Sequence, residues 1–266
     1  MSLRHLLIRC LPPALRRSVR AWNSTRQVRR FTAARWPESA VVQQLIRPGD
    51  VVVDAGANIG YITALLAEWV GPRGLVHSIE PIPETFHIMQ RTMQKLRLTQ
   101  VRGHGCGVSD AAGEAMMEVP AYPDGAENFY ESRVLAGAPV RAGARSVPVK
   151  LTSLDALVGE SLPQVTFMKI DVEGHEEPAL RGAHDLLRQA RPALLIEIDG
   201  SLDEPAAATA CMLKNLTELG YGIYEWRDGG LHPHRPGHRS VDYFFLTKEH
   251  LSSRLKGLVT GEIQTS

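Results

Sequence analysis

The stretch from residue 51 to residue 60, VVVDAGANIG, constrains the fold more than any other part of the chain. Its three β-branched residues in a row predict a short strand that is buried on both faces, as in the centre of a parallel sheet. Gly56 and Gly60 then allow a sharp turn into a helix. This pattern is typical of the first βα unit of a Rossmann-like sheet, where ligands bind beyond the carboxyl ends of the strands.

The chain from residue 38 onward alternates strand-like and helix-like segments. This alternation predicts one α/β domain with a Rossmann-like, doubly wound sheet of about seven strands, mostly parallel. No helix separates the last two strands, so we expect the last strand to be antiparallel. The predicted strands are 51–53, 75–80, 101–108, 165–170, 193–198, 221–226 and 241–247. The predicted helices are 38–47, 60–70, 83–97, 176–190 and 203–219.

We divide the chain into a basic N-terminal helical arm (1–37), a main domain (38–250) and a C-terminal tail (251–266). Within the main domain, residues 111–150 interrupt the alternation. Met116–Val119 and Ser146–Lys150 are predicted to pair as a hairpin. Their connector is rich in Gly, Ala and Pro, and loops of that length usually form lids or are disordered.

The arm carries nine arginines and no acidic residue, whereas the whole chain has a net charge of only +1. A basic arm is typical of binding to nucleic acid or to an anionic membrane surface, and it can also lie on the acidic body of the same chain. Aromatic residues make up only 6% of the chain. Because single-strand binders stack bases on aromatic side chains, we expect no nucleic-acid partner. Peripheral membrane contact through the arm stays open, as does the oligomeric state.

The apolar runs are too short for a membrane-spanning helix, which needs about 18 residues. A secretory signal is not expected either, although the arginine-rich arm leaves a mitochondrial presequence as an alternative. The cysteines, Cys10, Cys106 and Cys211, are far apart and form no C-x-x-C pair. We therefore expect no disulfide framework and no metal site, and we predict a cytoplasmic protein.

Two carboxylates at strand ends indicate the ligand. The spacing D-x-G-x-N-x-G differs from the G-x-G-x-x-G of dinucleotide-binding enzymes. Asp54, just before the first glycine, would repel a pyrophosphate but would attract an ammonium or a sulfonium. Glu80 ends the second strand, where an acid can accept both ribose hydroxyls of an adenosine. Together they favour S-adenosylmethionine, and an NAD(P)-dependent oxidoreductase is the alternative.

A third motif, KIDVEGHEE, ends a predicted buried strand with a dense group of ionisable residues, among them Lys169, Asp171, Glu173 and His175. Such a group is costly to bury unless it faces a cleft. Elsewhere, Ser109 and Asp110 follow the third strand, where they are placed to reach an adenine edge.

These motifs, together with SIEPIPETF, LTSLDAL and RPALLIEI, resemble the FkbM-type family of S-adenosylmethionine-dependent methyltransferases over about residues 38–247. The resemblance includes the family's K-x-D-x-E-G-x-E signature. It implies a class I methyltransferase domain and, mostly, O-methylation of hydroxyls on sugars, glycolipids or secondary metabolites. It also places Asp171 beside the reacting methyl group. The cofactor-binding residues that we expect are Asp54, Gly56, Asn58, Gly60, Tyr61, Glu80, Ser109 and Asp110.

The catalytic groups that we expect are Asp171, Glu173 and His175. A hydroxyl is a poor nucleophile, and a general base contributes about 10²–10⁴-fold to such a reaction. Our hypothesis is that Asp171 positions donor and acceptor while Glu173 or His175 receives the proton. A non-catalytic binding protein on the same scaffold is a further alternative.

The acceptor, a small molecule or a glycan with a free hydroxyl, is predicted to bind between segments 121–145 and 227–240. Both segments leave the carboxyl ends of predicted strands and so begin above the crevice. The candidate recognition residues in the first segment are Asn128, Tyr130, Ser132 and Arg133.

Overall fold

The computed structural model describes residues 13–121, 128–135, 139–255 and 257–260. Residues 1–12 of the predicted arm, parts of the predicted connector and the end of the predicted tail lie outside this range. The helices are α1 (Pro13–Arg30), α2 (Ser39–Leu45), α3 (Tyr61–Val70), α4 (Pro83–Leu96), α5 (Leu154–Val158), α6 (Glu176–Arg181), α7 (His184–Gln189), α8 (Ala207–Glu218) and α9 (Lys248–Ser253). The strands are β1 (Val51–Ala55), β2 (Leu75–Ile79), β3 (Val101–His104), β4 (Gly107–Val108), β5 (Gly113–Val119), β6 (Arg133–Val134), β7 (Arg145–Thr152), β8 (Val165–Ile170), β9 (Ala193–Glu197), β10 (Gly222–Arg227), β11 (Gly230–Pro233) and β12 (Asp242–Leu246).

An eight-stranded sheet forms the centre of the protein, in the order β11-β10-β12-β9-β8-β1-β2-β3. Strands β3, β2, β1, β8 and β9 are parallel to one another, so the predicted doubly wound α/β fold is confirmed. Strand β12 is antiparallel to both β9 and β10, as the sequence predicts for the last strand. Helices α3 and α4 begin and end within about one residue of their predicted limits.

The eighth strand, β11, was not predicted, because segment 227–240 was interpreted as a loop. It forms a hairpin with β10 in which Arg227 pairs with Gly230. The two residues between them, Asp228 and Gly229, both have positive φ angles, of 52° and 76°. An Asp-Gly pair is a strong signal for such a two-residue turn. The hairpin could therefore have been found in the sequence.

A second sheet, in the order β4-β7-β5-β6, is built from the segment that interrupts the alternation. The predicted hairpin is confirmed, since Met116 pairs with Pro148 and Glu118 with Ser146. The predicted strand 101–108 is wrong as a single element, because it is divided between the two sheets. The chain leaves the main sheet after His104, next to the Phe86 ring, and enters the second sheet as β4.

The predicted helix 176–190 is also two elements, α6 and α7, which are separated at Gly182 and Ala183. A Cβ on Gly182 would lie 2.0 Å from the carbonyl oxygen of Ser109. Only a glycine fits this close approach, so the helix breaks where the segment after β4 passes it.

The core lies on both faces of the main sheet. One apolar layer includes Val53, Met168 and Leu194, and the other includes Val52 and Phe167. This alternation along the strands explains why the sequence of each central strand is apolar throughout.

Both ends of the chain pack against this body. Val28 of α1 is buried against Met89 and Met93 of α4, as expected if the arm lies on its own body. At the other end, the predicted domain boundary at residue 250 falls inside α9, and Leu251 and Leu255 are buried in the core. The described part of the tail therefore belongs to the body, and the boundary is corrected. The remaining domain limits stay predictions.

Within the described ranges, no helix combines the length and the apolar character that crossing a bilayer requires.

Candidate active site

A cavity of about 290 Å³ opens at the carboxyl ends of the central parallel strands. This is the edge of the sheet at which the sequence predicts a ligand. Carboxylates from several strand ends face it, and their side chains belong to Asp54, Glu80, Asp171, Glu173 and Glu197. Among the residues that the structure describes, Lys169 is the only Lys or Arg in the cavity lining.

Asp54, in β1, presents a buried carboxylate oxygen to the cavity. Its side chain is almost fully buried, and its Oδ2 accepts a hydrogen bond of 2.6 Å from Thr63 Oγ1. Its Oδ1 has no hydrogen-bond partner among the described residues. Burial raises the pKa of Asp54, while the positive charge of Lys169 acts in the opposite direction. A buried acceptor without a donor suits a ligand that brings an ammonium or another cationic group.

Lys169 lies beside Asp54 on the neighbouring strand β8, and its Nζ donates to Asp171 Oδ2 at 2.6 Å. Burial alone would lower the pKa of this lysine, but the carboxylates of Asp171 and Asp54 outweigh burial and raise it. The sequence analysis gave Lys169 no role beyond the signature. In the structure it neutralises part of the charge that the acidic motif brings to the cavity.

The turn after β1 is left-handed at Gly56, Asn58 and Gly60, with φ angles of 87°, 50° and 92°. A Cβ on Gly56 would lie 1.8 Å from the carbonyl oxygen of Asp171. The close approach at Gly56 is thus to the chain after β8. Gly56 and Asn58 line the cavity, whereas Gly60 does not, because it packs against Met93 of α4.

Glu80 lies at the end of β2 and is already well supplied with donors. Its Oε1 accepts from the backbone N–H of Ile82 at 2.8 Å and from Thr85 Oγ1 at 3.0 Å, and its Oε2 accepts from the backbone N–H of Asn58 at 2.9 Å. Burial outweighs these bonds and raises the pKa of Glu80 to about 7. A carboxylate has about four acceptor sites. The expectation that Glu80 accepts both ribose hydroxyls is therefore reduced to about one additional hydrogen bond.

Tyr61 begins α3 at the rim of the cavity and connects it to the arm. Its hydroxyl donates to Gln27 Oε1 of α1 at 3.0 Å, and its ring packs against Phe31 with a centroid distance of 5.0 Å. The arm therefore fixes one wall of the predicted cofactor site.

Glu173 and His175, the two predicted proton acceptors, both line the cavity but differ in their surroundings. The Glu173 side chain has no hydrogen bond to any described residue, and its backbone is left-handed, with a φ of 53°. Burial, reinforced by the charge of Asp171, raises the pKa of Glu173 to about 7. His175 Nε2 is 3.0 Å from Ser109 Oγ, and burial lowers the pKa of this histidine. Glu173 is thus the freer of the two groups.

Ser109 and Asp110, expected near the adenine, do not line the cavity. Ser109 is buried beside His175, and Asp110 is exposed and forms an ion pair of 2.9 Å with Arg181. The Ser109 hydroxyl, together with Arg181, lowers the pKa of Asp110. Both residues follow β4 of the second sheet, and this moves them away from the edge where β3 ends. Their contact with adenine stays a prediction.

One side of the cavity is apolar and comes largely from the second sheet, through Met117, Phe129, Val134 and Leu151. Segment 121–145 therefore contributes to the cavity, as expected, although its predicted recognition residues are placed differently. Ser132 lines the cavity, whereas Arg133 pairs with the buried Glu118. Asn128 is buried outside the lining, and the side chain of Tyr130 lies outside the described part of the structure.

Segment 227–240 does not contribute, although the structure describes all of its residues. That it helps to form the acceptor pocket stays a prediction. Strand β11 folds back along β10, and His234 Nδ1 contacts Oε1 of the buried Glu225 there.

The sequence analysis missed Glu197, the last residue of β9, which lies next to the end of β8. The signal was present in the motif RPALLIEI, because an acid after a buried run marks a strand end at the ligand-binding edge. The rule that selected Glu80 would have selected Glu197 as well.

Comparison with known proteins identifies a family. The family model described as "Methyltransferase FkbM domain" matches residues 54–223. The protein "31-O-demethyl-FK506 methyltransferase FkbM" of Streptomyces tacrolimicus is 31% identical over 189 residues, which cover 61% of this chain and 71% of the relative. "Methyltransferase 1" of Beauveria bassiana is 30% identical over 146 residues, which cover 50% of this chain and 58% of the relative. This chain thus spans less than two thirds of the Beauveria protein.

Among solved structures, the crystal structure of methyltransferase FkbM from Methylobacillus flagellatus aligns with a TM-score of 0.47 and 17% identity. The alignment covers 86% of this chain and 59% of that chain.

Proposed function

Because this chain belongs to the FkbM family of methyltransferases, with S-adenosylmethionine as the methyl donor, we propose that it methylates a hydroxyl oxygen. The acceptor that we propose is a sugar, a glycolipid or a secondary metabolite. The Streptomyces relative is a 31-O-demethyl-FK506 methyltransferase by name, which places its reaction at an oxygen, and this supports an oxygen acceptor here.

The observation that carries the proposal is the unpartnered Oδ1 of Asp54, buried at the edge of a cavity between the central strand ends. A ligand that brings no N–H or O–H donor to this position would leave the oxygen unsatisfied. An amino group satisfies it directly. We therefore assign Asp54 to the cationic methionine part of the donor, and the backbone of the Gly56–Asn58 turn to the same part.

Glu80 and Asp171 would hold the remainder of the donor. Glu80 has room for about one ribose hydroxyl, and its position is fixed by three hydrogen bonds from Asn58, Ile82 and Thr85. Asp171 is held in position by Lys169, and we place its carboxylate beside the reacting methyl group, as the family resemblance implies. Fixed groups of this kind favour transfer by alignment, which contributes up to about 7–11 kcal/mol in intramolecular reactions.

When bound, S-adenosylmethionine supplies an electrophilic methyl carbon on a sulfonium. The acceptor oxygen forms its bond to this carbon while the carbon–sulfur bond breaks, and the acceptor proton must leave. We assign this proton to Glu173, because its carboxylate lines the cavity without a hydrogen-bond partner among the described residues. A pKa of about 7 matches a general base that works near neutral pH. His175 is the second choice, since its Nε2 is already engaged by Ser109.

Calorimetry with purified protein tests the donor site. We expect S-adenosylhomocysteine to bind and NAD, the ligand of the alternative oxidoreductase, not to bind. Asp54→Asn should weaken S-adenosylhomocysteine binding by about tenfold, because it removes a charge-assisted hydrogen bond to the amino group. Binding of NAD in place of S-adenosylhomocysteine would overturn the proposed function.

Mass spectrometry of glycans, lipids and small metabolites from cells with and without the gene tests the acceptor. We expect one class to lose a mass of one CH₂ at an oxygen. Loss of a methyl group from nitrogen or carbon instead would contradict O-methylation. Unchanged metabolites in cells that make the intact, donor-binding protein would favour the non-catalytic alternative.

A further inference from the structure

Glu197 has no role in the function proposed above, yet it lines the same cavity. It is the last residue of β9, and in the register of the sheet it lies opposite Asp242 of β12. On its other side, Asp171 follows β8, the strand that pairs with β9. Glu197 thus extends the row of acids at the strand ends by one strand, beyond the residues that the signature motif supplies.

The Glu197 side chain is half-buried and makes no hydrogen bond to any residue that the structure describes. The charged groups that face it are Asp171, Asp199 and Asp242, which repel its charge, and Lys169, which attracts it. Glu173 lies close enough to be affected by it as well. Because Lys169 already donates to Asp171, Glu197 lacks a cation of its own.

A half-buried carboxylate among other carboxylates destabilises the protein unless something in the cavity compensates it. An apolar or neutral side chain at this position would avoid that cost. The cavity belongs to a site whose donor carries a permanent positive charge at the reacting end and loses that charge when the methyl group is transferred. The arrangement therefore fits a ligand whose charge changes during the reaction.

We propose that the Glu197 carboxylate binds the sulfonium end of the donor and so distinguishes the methylated donor from its demethylated product. The inference depends on the function proposed above. The product carries a neutral thioether at this position, so it has no charge–charge attraction to Glu197 there. In this way the same side chain favours loading of the donor and release of the product.

The choice of Glu197 over its neighbours follows from their contacts. Asp171 already has Lys169 as its cationic partner, with 2.6 Å between Nζ and Oδ2. Glu173 is needed for the acceptor proton, and Asp54 is deeper in the cavity, hydrogen-bonded to Thr63 on the side of the turn. Glu197 is left as the cavity-lining acid with no hydrogen-bond partner in the described part of the chain and no other assignment.

The test is the affinity of the protein for S-adenosylmethionine and for S-adenosylhomocysteine, both measured by calorimetry without an acceptor. Glu197→Gln should reduce the ratio of the two affinities by about tenfold, a charge effect of the size expected for a partly screened pair. The affinity for S-adenosylhomocysteine should stay within about twofold. Glu218→Gln, an exposed residue at the end of α8, removes an equal charge and should leave the ratio unchanged.

The ratio should also depend on pH. Burial, followed by repulsion from Asp171, raises the pKa of Glu197 to about 7, so the carboxylate is charged above this pH and neutral below it. We therefore expect the preference for the cationic donor to rise between about pH 6 and about pH 8.5. Glu173 titrates in the same range, so the rise should be smaller, but not absent, in Glu197→Gln.

The outcomes are distinct. A ratio that falls in Glu197→Gln, with normal binding of the product, supports the inference. A ratio that stays at the wild-type value in Glu197→Gln overturns it and leaves the proposed function standing. Failure of the wild-type protein to bind either ligand overturns the proposed function, and the inference with it. Thermal unfolding of each variant verifies that it is folded, and we expect Glu197→Gln to be at least as stable as the wild type.

Discussion

Gly56 allows two loops of the site to pack closely because it has no side chain. Its φ of 87° is in the left-handed region, and a Cβ there would meet the carbonyl oxygen of Asp171 at 1.8 Å. The backbone N–H of Asp171 also donates to the carbonyl of Ala55 at 3.1 Å, so the two loops are fixed to each other. The turn that we propose binds the donor and the loop that carries the predicted catalytic acids are therefore one packed unit.

We expect Gly56→Ala to lower the free energy of unfolding by about 3 kcal/mol or more, because strain and a clash with backbone act together. Any folded fraction should bind S-adenosylhomocysteine poorly, since the Asp171 loop must move. Gly49→Ala is the matched control, with a φ of 100° but no atom within 4 Å of the added Cβ. It should cost only about 1 kcal/mol, from strain alone. Equal effects of the two substitutions in urea unfolding would show that the close contact contributes nothing.

At the scale of residues, the sequence was most informative where chemistry and position coincide. Asp54, Glu80 and Asp171 could be chosen because each is an acid directly after a buried run. Their charges could not be predicted, because these depend on contacts between distant segments, such as Lys169 with Asp54. For the same reason, the sequence did not show that Glu80 is already bonded to three donors.

At the scale of elements, the neighbouring strands β2 and β3 carry a pair of histidines in contact, His77 and His104. His77 Nδ1 and His104 Nε2 are 3.1 Å apart, their rings are stacked, and His77 is completely buried. Burial is the main cause that lowers the pKa of each ring to about 4. The folded protein thus keeps both rings neutral at pH values where the unfolded chain would bind protons.

A histidine with a lowered pKa stabilises the fold above its unfolded pKa, and this stability is lost as the pH falls towards its folded pKa. For this pair the window extends from about pH 6.5 down to about pH 4. We expect His77→Leu to reduce the loss of unfolding free energy across that window by about 1–2 kcal/mol, a value discounted for partial solvation. Leucine substitution of the exposed His87 on α4 should leave the wild-type pH dependence unchanged. Urea unfolding at a series of pH values measures both, and identical curves for the two variants would contradict the assignment.

Elements were predicted well where hydrophobic periodicity alone decides, as in α3, α4 and β8. They were predicted poorly where a tertiary contact overrides the local pattern. The predicted strand 101–108 divides because the chain changes sheets, and the predicted helix 176–190 divides because Gly182 admits the backbone of Ser109. Neither contact has a local signal, whereas the turn at Asp228 and Gly229 had one.

At the scale of the whole molecule, the arm and the cavity share a boundary. The inner side of α1 packs on α4 through Val28 and reaches Tyr61 through Gln27, whereas Trp22 is 59% exposed to solvent. If Tyr61 binds the donor, as we predict, the arm must be docked for the donor to bind well.

We expect Val28→Asp to displace α1 and to weaken S-adenosylhomocysteine binding by about three- to tenfold, because Tyr61 then loses its support. Trp22→Asp introduces the same charge on the exposed side of the same helix and should leave binding unchanged. Calorimetry measures the affinity of both variants for S-adenosylhomocysteine. Equal affinities would show that the arm does not support the donor site. Contact of the arm with a membrane surface is a separate prediction that this experiment does not address.

The family and the main architecture could be predicted from motifs that lie in the sheet. The arrangement around the sheet could not, because the arm, the second sheet and the end of the chain are held by contacts between segments far apart in the sequence. The corrected boundary at α9 is an example, since Leu251 and Leu255 show their role only once they are seen buried in the core.

The cavity has two walls that come from different sheets. The charged wall belongs to the central sheet, while Met117, Phe129 and Leu151 come from an insertion between β3 and β8. Residues of the insertion can therefore be substituted, or the whole insertion replaced, without changing the acidic residues of the central sheet. We therefore predict that grafting or diversifying residues 111–151 alters the range of acceptors while the central sheet is left unchanged.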